Sequence, residues 1–63
     1  MQFELITENY KEFKRLCEKI LFNPTIRSAI FSNDYKVVVK LDRNKLADFA
    51  VLIRSLDVAV SEA

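Results

Sequence analysis

Thr25-Ile26-Arg27-Ser28-Ala29-Ile30-Phe31-Ser32-Asn33-Asp34-Tyr35-Lys36-Val37-Val38-Val39-Lys40-Leu41 is the stretch that decides the fold. It is rich in β-branched and aromatic residues on both sides of Ser-Asn-Asp, so it reads as a β-hairpin. Asn and Asp tolerate the positive φ of tight turns. A two-residue loop at Asn33-Asp34 pairs Ile30 with Val37 and Ile26 with Leu41. A three-residue loop at Ser32-Asn33-Asp34 pairs Arg27 with Val39 and Thr25 with Leu41. The first register sets apolar side chains opposite each other and is the one expected.

A helix is expected on each side of this hairpin. Upstream, Tyr10, Phe13, Leu16, Cys17, Ile20 and Leu21 form one stripe within residues 8–22. Lys11, Glu12, Lys14, Arg15, Glu18 and Lys19 lie mostly off that stripe. Thr7 is the expected N-cap, Glu8 suits the positive end of the dipole, and Asn23-Pro24 is expected to end the helix. Downstream, Asp42 is the expected N-cap. Leu46, Phe49, Ile53 and Leu56 form the second stripe, flanked by Ala50 and Leu52, with Ala47 and Val51 away from it.

The two ends supply the outer strands. Met1, Phe3 and Leu5 alternate with Gln2 and Glu4, as in a half-buried strand. Val58 and Val60 alternate with Asp57, Ala59 and Ser61, so residues 57–61 read as a last strand or a tail. A shift of thirty-six positions lays Tyr10 on Leu46, Phe13 on Phe49, Cys17 on Ile53 and Ile20 on Leu56. These matches share hydrophobic character and do not show common ancestry. The element order β-α-β-β-α-β is that of the ferredoxin-like α+β sandwich. Without the last strand, the fold is a three-stranded β-α-β-β-α.

Composition narrows the function mainly by exclusion. The 63 residues make one small domain, residues 1–63, and the 51% hydrophobic content is enough for a core. Ten Lys and Arg against nine Asp and Glu leave +1, which gives no strong electrostatic case for nucleic acid or anionic lipid. There is no His, no Gly and one Cys. Histidine catalysis, glycine-rich phosphate loops, intrachain disulfides and thiolate metal cages are therefore excluded. Cys17 lies in the first helical stripe and reads as buried filler. Asp34, Asp42, Asp48 and Asp57 match no metal-binding loop. No catalytic residue, cofactor or metal is expected, and the chain reads as a non-enzyme. The N-terminus lacks the basic-then-apolar pattern of a signal peptide, and no apolar run is long enough to span a bilayer. A cytoplasmic protein without a membrane partner is expected.

The candidate site is the sheet face away from the helices. The preferred register places Phe3, Leu5, Ile26, Ile30, Val37, Val39 and Leu41 inward. It places Glu4, Ile6, Arg27, Ala29, Phe31, Lys36, Val38 and Lys40 outward. Ile6, Ala29, Phe31 and Val38 then form an apolar patch rimmed by Arg27, Lys36 and Lys40. The leading expectation is a protein-protein interaction module, a regulator or inhibitor that occupies a partner protein and acts as a homodimer. An ordinary solvated sheet face ranks second. A nucleic-acid-binding regulator ranks third, with Phe31 stacking a base and the three cations holding phosphates.

Overall fold

The computed structural model describes all residues, Met1–Ala63. Four strands and two helices follow one another: β1 (Gln2–Ile6), α1 (Tyr10–Ile20), β2 (Ser28–Phe31), β3 (Lys36–Lys40), α2 (Leu46–Ile53) and β4 (Ala59–Glu62). A 3-10 turn, Arg43–Lys45, leads into α2. The sheet order is β2-β3-β1-β4, and every neighbouring pair is antiparallel. The protein is thus an α+β domain with one open four-stranded sheet. The fourth strand forms, so the three-stranded alternative is set aside. No helix is long and apolar enough to cross a membrane.

One core joins the sheet to both helices. Leu5, Val37, Val39 and Leu41 are buried with Leu16 and Ile20 of α1 and Phe49 of α2. Phe3 stacks on Phe49 with ring centroids 5.2 Å apart, and Ile26, Leu52, Ile53, Leu56 and Val58 pack around the margin. Alternation along β1 and β3 therefore separates a helix-facing set, Phe3, Leu5, Val37 and Val39, from an uncovered set. The expected stripes supply the core, except at their edges. Tyr10 and Leu21 are exposed, Tyr10 at the first residue of α1 and Leu21 just past its end.

The ends of α1 differ from expectation in a specific way. Asn9, not Thr7, is the N-cap, and its side chain accepts from the Glu12 amide at 2.9 Å. Thr7 is buried and employed elsewhere. Its hydroxyl donates to the Tyr35 carbonyl at 2.8 Å, and its amide donates to the same oxygen at 3.0 Å. The end of β1 is thereby tied to the hairpin loop. At the other end, Leu21 is extended and Phe22 is left-handed (φ 61°), so the helix stops before Asn23-Pro24 takes effect.

The hairpin adopts neither expected register. Phe31 pairs with Val37, Ile30 with Val38, Ala29 with Val39 and Ser28 with Lys40. The loop is Asn33-Asp34-Tyr35, closed by Ser32 N–H donating to the Lys36 carbonyl at 3.0 Å. Tyr35 takes the left-handed position (φ 58°) that three-residue hairpin loops commonly need. Its ring lies 5.7 Å from that of Phe13, a contact that helps offset the backbone cost. Drawing Tyr35 into the loop shifts the pairing by one residue and turns every β2 side chain over.

Candidate protein interface

The shifted register redistributes the expected site. Ala29 and Phe31 lie on the helix side rather than outward, and Phe31 meets Phe13 edge-on at 6.4 Å. Ile30, expected inward, stands on the uncovered face opposite Val38 and is 65% exposed. Val38 is half-buried, diagonal to Ile6, and Ile6 is paired with Ala59. Ile30, Val38, Ile6 and Ala59 therefore make an apolar diagonal across all four strands. Glu4 and Lys36 lie beside it and form an ion pair at 3.8 Å.

The basic residues fall into two places. Lys36 stays on the open face with Glu4. Arg27 and Lys40 instead meet at the end of the sheet where β1 begins and β3 finishes. There they line an open cleft of about 540 Å³ with Gln2, Leu41, Asp42 and Arg43. Backbone pairing fixes these positions: Gln2 is opposite Lys40, and the Arg27 amide donates to the Lys40 carbonyl at 2.8 Å. Asp42 precedes the 3-10 turn as expected, yet its carboxylate makes no capping bond. It accepts from Arg27 at 3.0 Å instead.

Neither Ile30 nor Arg43 belonged to the expected site. Ile30 was misplaced by the register, and the signal that would have found it is Tyr35 as a loop residue. Arg43 carries no motif, since its place depends on three chain segments converging. The other candidates are chemically quiet. Burial pushes the Cys17 thiol above its ordinary pKa, with repulsion from Glu18 adding to this and a backbone hydrogen bond opposing it. A protonated thiol is a poor nucleophile at neutral pH. No group of three or more Cys, Asp or Glu side chains is arranged to hold a metal ion. Compared with protein-family models, curated proteins and solved structures, the chain matches none.

Proposed function

We propose that this chain is a small, non-enzymatic, cytoplasmic protein-binding module with a ferredoxin-like fold, which pairs with a second copy through its open sheet face. The β-α-β-β-α-β element order and the strand order β2-β3-β1-β4 support the fold reading. The observation that carries the functional reading is the diagonal Ile30–Val38–Ile6–Ala59 on the uncovered face. A domain whose buried hydrophobic core is seven residues has little apolar material to leave in water. Each Å² of that diagonal covered by a partner is worth about 25 cal/mol. Two-fold pairing of one face is self-complementary and closes at the dimer. The same face is the surface by which a regulator or inhibitor would occupy another protein.

Nucleic acid is the weaker reading. Phe31, the stacking candidate, packs toward Phe13, and Arg27 and Lys36 are engaged by Asp42 and Glu4. Sedimentation over a range of concentrations tests the dimer. The parent is expected to dimerise with little dependence on salt, and Val38→Glu to give monomers. Val51→Glu, on an exposed part of α2, should change nothing. A parent that stays monomeric would overturn the homodimer. A Val38→Glu variant that still dimerises would overturn the face and direct attention to the edge of β4.

A further inference from the structure

The cleft at the start of β1 gathers like charges that nothing in the fold requires. Arg27 from just before β2, and Lys40 and Arg43 from the stretch that leaves β3, line one recess, with Asp42 as its only carboxylate. Ion pairs form between Arg15 and Glu12, Arg27 and Asp42, and Lys36 and Glu4, so Lys40 and Arg43 have none. Cations held together without compensation repel one another, and an anion between them removes that cost. Asp42 occupies only one edge of the Arg27 guanidinium, through Nη1, and leaves further N–H donors for a second oxyanion. Leu41 belongs to the buried core, and its carbonyl at the recess accepts from the Met1 amine at 2.8 Å.

We propose that this cleft binds a phosphate monoester in its dianionic form. With the Met1 amine, four cations less one carboxylate leave +3 in the recess, which favours a dianion over a monoanion. Arg27 and Arg43 supply planar donor forks, and Lys40 supplies a point charge. The cleft adjoins the apolar diagonal, since Lys40 follows Val38 on the same face, but it shares no residue with Ile30, Val38, Ile6 and Ala59.

The test is a titration of the isotopically labelled protein with glycerol phosphate at about 0.1 M salt, followed by amide NMR shifts. Saturable shifts are expected at residues 27 and 40–43. Arg43→Ala and Lys40→Ala should each weaken binding about tenfold or more. Lys14→Ala removes the same charge from an exposed position on α1 and should have little effect. Thermal melts confirm that each variant folds. The pH profile gives a second readout. The second proton of a phosphate monoester leaves near pH 6, so affinity should rise about tenfold from pH 5 to pH 7. The cleft's charged groups are Arg27, Lys40, Asp42, Arg43 and the Met1 amine, which donates to the Leu41 carbonyl. None is a histidine, and sulfate, a dianion throughout, should show no such rise. The proposal falls if Lys14→Ala weakens binding as much as Arg43→Ala, or if affinity for glycerol phosphate is flat with pH. It also falls if a single-stranded oligonucleotide binds where glycerol phosphate does not, which would instead favour the nucleic-acid reading.

Discussion

Phe22 has a left-handed backbone (φ 61°), and its side chain is entirely in water. A β-carbon in this region costs about 1–2 kcal/mol, and no burial of the ring offsets it. The surrounding turn is nevertheless well made. Asn23 donates its amide to the Ile20 carbonyl at 3.3 Å, and its side chain accepts from the Thr25 amide at 2.9 Å. The chain has no glycine, so Phe22 and Tyr35 take the two left-handed positions. They do so on different terms, because the Tyr35 ring packs against Phe13 and the Phe22 ring packs against nothing. Phe22→Gly should therefore stabilise the fold by up to about 1 kcal/mol, after the extra freedom given to the unfolded chain is subtracted. Chemical denaturation measures it, and a marked loss of stability would show that the Phe22 ring is packed.

At the scale of elements, a single loop residue controls a strand. The Thr7 bonds to the Tyr35 carbonyl anchor the hairpin loop against the end of β1. With Tyr35 in the loop, β2 turns Phe31 toward α1 and Ile30 toward solvent. The cap of α1 is displaced for a related reason, since a threonine tied to the loop is not free to cap a helix. Asn9→Ala should cost about 1 kcal/mol, the usual value of an N-cap, and should fray the first turn of α1. Hydrogen exchange of the Glu12 amide is the local readout. Unchanged protection there would remove Asn9 from the capping role.

On the scale of the whole molecule, stability rests on few residues. Seven hydrophobic side chains are buried, and Phe49 is the sole member from α2. It also stacks on Phe3, so it joins α2 to the sheet. Phe49→Ala is expected to cost roughly 3–5 kcal/mol, comparable with the whole stability of a small domain. The variant should be largely unfolded by circular dichroism at room temperature. A cooperative melt close to that of the parent would mean that α2 is held by other contacts. The half-buried Phe13 should tolerate the same change better, because part of its ring already meets water.

The order of strands and helices was legible in the chain, since it follows from local periodicity. Alternation marked β1 and left residues 57–61 as a strand or a tail, where β4 forms at Ala59–Glu62, and helical spacing picked out Leu16, Ile20 and Phe49. The dense β-forming run at residues 25–41 marked the central hairpin. Helix limits were less legible, because caps depend on which polar side chains are free, and Thr7 is engaged by a residue twenty-eight positions away. Of the expected site, Ile6, Val38 and Lys36 stand on the open face, while Arg27 and Lys40 meet Arg43 at its end. Ala29 and Phe31 are on the helix side, and Ile30 takes their place. Tertiary structure alone decided these assignments. Strand register is a contest between alternatives one residue apart, and sequence alternation cannot separate them when apolar residues occupy both faces of the strand. Packing of Tyr35 and Phe31 around Phe13 separates them, because each register would bury a different set of rings.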